Sequence, residues 1–376
     1  MEQKINNLSN NYTNDVDKTY LSKFGQFFTL DPILIEKLFD KKLKPKNILE
    51  PSSGTGRIVL ECLKYYSNAK IDAVEIDKNL YNKSRSILKN ANFINKDFLL
   101  FKTTNKYDLI IGNPPYFETT DYNKKEYQEI EYGRMNIYSL FIFKCIKLLE
   151  IGGELRFIIP TSILTSKSFN KLREYIIRFT EIKDIIKFND NNLFSKVNQN
   201  VIILVLKKQK NTGKHIYRFS DRLVFIKDLN LFVKLLKGSV NITKLKCIVK
   251  TGNIEWNKYK NELLPTTSQT KQLIRTSGNY QLKLTNENKC KLIKEPCILV
   301  NRIISILNPK FIVRYKKDFE PVFIENHINV IFGSKENLNK IYKSLTNDKT
   351  CLFLKEFVSN TQISQDELQN IIPIYI

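Results

Sequence analysis

Two short runs hold the residue types that could do chemistry. The first, Asn113-Pro114-Pro115-Tyr116, closes an apolar stretch that begins at Tyr107. Consecutive prolines donate no backbone hydrogen bond and hold the chain extended, so the carbonyl between them is free to face a ligand. Asn113 adds an acceptor oxygen beside it, and Tyr116 an aromatic face. Two acceptors next to a flat ring suit an exocyclic amino group on a base. The second run, Leu49-Glu50-Pro51-Ser52-Ser53-Gly54-Thr55-Gly56, lies where an extended segment meets a helical one. Glycines there let backbone and ligand approach closely, at a helix N-terminus that favours negative charge. A nucleotide cofactor expects an acid about 20 residues on to hold ribose hydroxyls, and Glu75 is so placed. The run is not Gly-x-Gly-x-x-Gly, and no Gly-Lys-Ser/Thr follows, so neither the dinucleotide fingerprint nor the phosphate loop is matched. Taken alone, the glycine run also reads as an ordinary tight turn.

Positioning these residues takes strands and helices in alternation. Extended runs are expected at 47–50, 70–75, 107–112, 154–159, 182–188 and 199–207, and helical spacing at 57–66, 78–88, 137–149 and 171–178. Such alternation builds a mostly parallel sheet covered by helices on both faces, with ligands at the carboxyl ends of its strands. The texture changes near Lys207-Lys208-Gln209-Lys210-Asn211-Thr212-Gly213, a polar run that reads as a linker or hairpin. Beyond it lie short β-like runs at 297–300 and 329–332 and a late helix over 335–345. The expected division is a catalytic domain over 1–210 and a second, mixed α+β domain over 211–376.

Composition narrows the class. The 376 residues are 42% hydrophobic, enough for two cores, and 61 Lys and Arg against 38 Asp and Glu leave a net charge of +23. Residues 211–376 carry 27 of those basic and 14 of those acidic residues. Such an excess points to a polyanionic partner. Six scattered cysteines, no Cys-x-x-Cys and two histidines argue against a zinc module or disulfide scaffold and for a reducing compartment. No apolar run approaches the roughly 18–20 residues of a membrane span, and the polar N-terminus lacks a signal h-region. The expectation is a cytoplasmic protein, bacterial or virus-encoded and acting in the host, with no metal and no membrane.

Together, Asn113-Pro-Pro-Tyr116, Glu50-Pro-Ser-Ser-Gly-Thr-Gly56 and an earlier Lys23-Phe-Gly25-Gln-Phe-Phe-Thr29 resemble the signatures of S-adenosylmethionine-dependent DNA adenine-N6 methyltransferases. The motif order resembles the γ class of type II restriction–modification systems, and the resemblance covers about residues 20–207. It implies a Rossmann-like class I methyltransferase sheet followed by a DNA target-recognition domain. It implies S-adenosyl-L-methionine as cofactor, held by Gly25 and Thr29 near its amino-acid part. Glu50, Ser52 and Gly54 would line the methionine side, Glu75 and Ile76 the ribose and adenine, and Asp97 and Phe98 the adenine amino group and ring face. Asn136-Ile-Tyr138 and the segment 148–160 resemble the later helix–strand pair. Where the family often has Pro directly after the Thr, Leu30-Asp31 here precede Pro32.

The implied activity transfers a methyl group to an adenine flipped out of double-stranded DNA. Asn113 and Pro114 would hold its amino group, and Tyr116 and Phe194 its faces, Phe194 lying in Asn192-Leu-Phe-Ser195. A companion restriction endonuclease and a monomer or homodimer are in keeping with that class. An RNA or protein-glutamine N-methyltransferase, or a non-catalytic DNA-binding subunit, is the alternative. A long basic C-terminal part and the early Gly-Gln-Phe-Phe-Thr speak against the glutamine enzyme. Pro296-Cys297 resembles a cytosine-C5 dipeptide but lies far from Asn113, and Trp256 and His327 read first as structural residues.

Overall fold

The computed structural model describes residues 1–15, 32–188, 201–259, 270–276, 278–283, 292–305, 309–357 and 362–376. Two compact units divide the chain, Met1–Leu229 and Asn230–Ile376.

The first unit begins with helices α1 (Glu2–Asp15) and α2 (Pro32–Leu38), then alternates strand and helix. Its strands are β1 (Asn47–Glu50), β2 (Lys70–Glu75), β3 (Asn92–Asn95) and β4 (Tyr107–Gly112), with α3 (Arg57–Tyr65) after β1 and α4 (Lys78–Ile87) after β2. A small hairpin, β5 (Glu118–Thr119) and β6 (Met135–Asn136), leads to α5 (Ile137–Leu148) and the long β7 (Leu149–Pro160). Next come α6 (Asn170–Phe179), β8 (Glu181–Lys187) and β9 (Val201–Lys207). These form one seven-stranded sheet in the order β3-β2-β1-β4-β7-β9-β8. The first five are parallel, and β9 inserts antiparallel between β7 and β8. This is the expected α/β fold. The chain order reverses between β1 and β4, which is where open sheets of this kind leave a crevice.

Local sequence explains most of the elements. Asp77 caps α4, its carboxylate accepting from the Asn79 and Leu80 backbone N–H groups at 2.7 and 3.0 Å. Helix α5 is apolar nearly all round because it is buried nearly all round. Six of the seven residues of β9, Val201 to Leu206, are buried, as befits a strand covered on both faces. The short β3 carries only two apolar residues and escapes a pattern reading.

The polar run 207–213 does not end the first unit. The hairpin β10 (Ile216–Arg218) and β11 (Leu223–Phe225) that follows it packs against α6. There the wholly buried Arg173 donates to the Leu223 carbonyl at 2.6 Å, and Leu223 N–H donates to the Asn170 side chain at 2.8 Å.

The second unit is mixed α+β. Helix α7 (Leu229–Leu236) leads into it, and β12 (Ser239–Val240) pairs with the final strand, Ile374–Tyr375. Its main sheet is antiparallel: β13 (Ile248–Thr251), then Ile328–Phe332, Cys297–Asn301 and Val313–Lys316 in spatial order. A three-stranded sheet joins Gly278–Lys283, Thr270–Arg275 and Phe323–Ile324. The helix expected late in the chain is α8 (Lys335–Leu345), capped by Ser334. Phe232, Phe353 and Phe357 stack in a separate aromatic core, with ring centres 5.2 and 5.3 Å apart along the series.

Candidate active site

The glycine run forms the turn between β1 and α3. Gly54 and Gly56 both take positive φ, 52° and 82°, a backbone region open to glycine at little cost. A Cβ on Gly56 would also stand 2.7 Å from Leu88 Cδ1. The turn is tied at several points. Ser53 N–H donates to the Val74 carbonyl at 2.9 Å, Ser84 Oγ donates to the Gly54 carbonyl at 3.1 Å, and Gly54 N–H donates to Glu75 at 2.6 Å. Glu75 therefore holds the turn from the end of β2. Its other oxygen accepts from Asp77 N–H at 2.8 Å.

Two carboxylates are buried here, Glu50 and Glu75 at 1% and 5% exposure. Burial lifts Glu50 well above the usual carboxylate range, and the charge of Glu75 adds to that against the lowering Ser52 N–H bond. Glu75 is pushed up to about 7, again by burial. Glu50 Oε1 accepts from Ser52 N–H at 3.0 Å, whereas its Oε2 is buried with no hydrogen-bond partner. Neither acid forms an ion pair among the described residues. Paired buried acids without a cation are costly unless a cationic ligand joins them.

The Asn113 loop leaves β4 directly beside this turn. Ser52 Oγ donates to the Asn113 carbonyl at 3.3 Å, so one serine links the two motifs. Gly112, just before the loop, has no room for a side chain: a Cβ would stand 2.6 Å from Glu50 Oε1. Asn113 is half-buried and Pro114 buried. Tyr116 has its ring in the core, 8% exposed and edge-on to Tyr138 at 6.1 Å. Its hydroxyl donates to the Ile158 carbonyl at 2.8 Å and also meets the Asn113 side-chain oxygen. The ring expected as a face for a base packs edge-on to Tyr138, and its hydroxyl meets Asn113.

The far wall comes from β2 and β3. Ile76 follows β2 and is half exposed, an apolar side chain kept at the crevice. Asp97 accepts from Leu99 N–H at 2.8 Å, which closes the turn that carries Phe98. Phe98 is buried, its ring 4.8 Å from that of Phe141. Two positioning residues have no motif to announce them. Asn95 Nδ2 donates to the Glu75 and Ile76 carbonyls at 2.8 and 3.2 Å, and Lys144 holds the 98–101 backbone. Gly25, Thr29 and Phe194 lie outside the described residues. Cys297 is buried in its strand, and burial pushes its thiol up to about 12, which disfavours the thiolate a nucleophile needs. His327 is 39% exposed at its side chain and lies 3.4 Å from Glu325, in the second unit.

A family model described as Eco57I restriction-modification methylase matches residues 9–194. The modification methylase CviBIII of Paramecium bursaria Chlorella virus NC1A is 31% identical over 381 aligned residues, covering 96% of this chain and 97% of that protein. The type II methyltransferase M.CvrRI of Paramecium bursaria Chlorella virus XZ-6E is 28% identical, covering 96% of each. M.HincII of Haemophilus influenzae is 33% identical over 207 residues, 52% of this chain and 39% of that one.

Proposed function

The chain belongs to the modification methylases of type II restriction–modification systems, DNA methyltransferases that use S-adenosylmethionine, and on that premise we propose that it methylates the N6 amino group of an adenine extruded from duplex DNA. The observation that carries this reading is the Ser52 link between the acidic glycine turn and the Asn113-Pro-Pro-Tyr116 loop. It sets a site for a cationic cofactor against acceptors suited to an amino group.

The residues fit the cofactor. Its cationic methionine part answers the unpartnered Glu50 oxygen, with Ser52 and Gly54 lining the same turn, and the buried Glu75 accepts from its ribose hydroxyls. Ile76 offers an apolar surface to the adenine ring, and the Asp97–Phe98 turn its edge. Gly25 and Thr29 belong to this set by family resemblance alone. When bound, the cofactor supplies a methyl group on sulfur that is open to attack by a nucleophile.

The target nitrogen is hidden inside the duplex, so the base is flipped at an unstacking cost of a few kcal/mol. That nitrogen is a poor nucleophile because its lone pair is shared with the ring. Hydrogen bonds from its protons to Asn113 Oδ1 and the Pro114 carbonyl favour a tetrahedral nitrogen and aim the lone pair outward. The amino group displaces the Tyr116 hydroxyl from Asn113, and that hydroxyl keeps the Ile158 carbonyl as acceptor. As the N–C bond forms and the methyl–sulfur bond breaks, leaving its electron pair on sulfur, the nitrogen becomes cationic and strongly acidic and loses its proton to water. Positioning and fixed dipoles carry the rate. Phe194 and Tyr116 are the aromatics assigned to the base by family resemblance.

The second unit, with the basic run before it, is assigned to target recognition, because sequence is read by side chains that reach base edges. Double-stranded DNA is the partner, and a companion restriction endonuclease fits the family. The test is to sequence DNA from a host expressing the protein for N6-methyladenine. Asn113→Ala should abolish the mark while leaving cofactor and DNA binding within about tenfold, since that acceptor matters most as the nitrogen becomes tetrahedral. Methylation at cytosine, or near-normal turnover in the variant, would reject the mechanism.

A further inference from the structure

The second unit contains a groove of about 1110 Å³ lined by three strands of its main sheet, the start of α8 and the turn at 317–320. That is at the upper end of the roughly 300–1,000 Å³ of small-molecule sites, and the groove is open. Its floor is largely apolar. Lys250, Lys317 and Lys335 line it, all exposed, and none forms an ion pair among the described residues. Neighbouring lysines behave differently: Lys340 is paired with Glu336 at 2.8 Å, and Lys316 with Asp318 at 2.9 Å. Glu295 is the acid in the lining. The groove therefore holds three lysines against one acid, and none of the three is ion-paired among the described residues.

Aromatic rings accompany the lysines. The Lys250 ammonium lies 5.7 Å from the centre of the Phe332 ring, and that of Lys317 lies 5.6 Å from the centre of Tyr315. Phe319 stands at the rim, 72% exposed. The local backbone holds it out. Lys316 is buried and donates to the Lys294 and Asp318 carbonyls at 3.2 and 2.6 Å, and Glu320 N–H donates to Asp318 at 3.1 Å. A phenyl ring kept in water by a braced turn costs hydrophobic free energy that a ligand would return.

We infer that this groove binds one strand of the DNA substrate, with Lys250, Lys317 and Lys335 on successive phosphates and Phe319 against a sugar or base. The inference rests on the reading of the chain as a DNA methylase. Unpaired ammonium groups above an apolar, aromatic floor match a polymer whose charges and flat faces alternate. An acidic protein segment shares the charge but not the flat sugar–base faces that an exposed phenyl ring meets, and it is an outcome of the test.

The experiment measures binding of the full-length protein to fluorescein-labelled duplex DNA by anisotropy across a salt series. Each phosphate contact contributes a slope of about 0.9 in log affinity against log salt. Lys250→Gln, Lys317→Gln and Lys335→Gln together should lower the slope by about 2.7, with S-adenosylmethionine affinity unchanged. Phe319→Ala should weaken binding about tenfold with the slope unchanged, because an aromatic contact releases no counterions, and Phe319→Tyr should restore it. Should the triple variant melt below the assay temperature, Lys317→Gln alone, on an exposed turn, should still lower the slope by about 0.9. Wild-type slope and affinity in folded variants would overturn the inference, as would loss of binding to an acidic protein with DNA binding intact. A wild-type protein that binds no duplex would overturn the methylase reading itself.

Discussion

Lys144 reaches from α5 to donate to the Phe98 carbonyl at 2.7 Å while its ammonium lies 5.1 Å from the centre of the Phe98 ring. The same ammonium donates to the Leu99 and Phe101 carbonyls at 2.8 and 2.7 Å. One half-buried cation thus gathers three carbonyls of the turn assigned to the cofactor's adenine. Lys144→Met should leave them without their donor and loosen the turn, weakening S-adenosylmethionine binding by about 1–3 kcal/mol. Turnover at saturating cofactor should change little. Calorimetry checks the first effect and steady-state kinetics the second; a fall in kcat with unchanged cofactor affinity would place Lys144 elsewhere in the reaction.

Glu75 makes cofactor binding depend on pH. Its pKa is raised from 4.5 to about 7 by burial, so between those values the free fold holds a proton that the unfolded chain has released. The stability from that proton is fully present below about 4.5 and is lost as pH rises through about 7. The ionised acid is the stronger acceptor for ribose hydroxyls, so cofactor affinity should rise with pH up to about 7 and then level off. Titrations in buffers of different ionisation enthalpy should show proton release. Glu75→Gln should flatten the profile and weaken binding by about 1–3 kcal/mol. An unaltered profile in the variant would assign the titration to another group.

Gly112→Ala tests the close approach of β4 to the acidic turn. The added methyl would stand 2.6 Å from Glu50 Oε1 and 3.3 Å from Pro51 Cδ. Displacing either should cost about 1–3 kcal/mol of stability and weaken cofactor binding. Gly213→Ala makes a control: its Cβ meets nothing within 4 Å, and only its φ of 82° resists the change. That variant should lose about 1–2 kcal/mol of stability and bind cofactor normally. Thermal melts with and without cofactor separate the two.

Phe194 is tested by its effect on the extruded base. A stacking ring is worth about 1–3 kcal/mol, so Phe194→Ala should slow methylation roughly 5- to 150-fold. Phe194→Trp should recover much of the rate. With 2-aminopurine at the target position, Phe194→Ala should dim the signal of the flipped base. A lower melting temperature with full 2-aminopurine signal in the folded fraction would make Phe194 a core residue.

Local chemistry made much of this protein legible from its residues alone. Strands 47–50, 70–75 and 107–112 follow from apolar runs that end at glycine, proline or an acid, and the two motifs sit at their carboxyl ends because such residues stop strands. The helix at 335–345 was equally open to that reading. What only the tertiary structure decided is contact between segments distant in sequence. The antiparallel entry of β9 between two other strands is one case, since a strand buried on both faces carries no sign of its neighbours. The attachment of hairpin 216–225 to the first unit is another, because it depends on the buried Arg173 rather than on the polar run before it. Tyr116 shows the limit most clearly. Its motif promises an aromatic face, but a phenol hydroxyl in a core must find partners, and Ile158 and Asn113 supply them. Periodicity and turn chemistry act over a few residues. The convergence of Glu50 with Glu75, of Ser52 with Asn113 and of Lys144 with Phe98 is set by how the sheet and its helices close on one another.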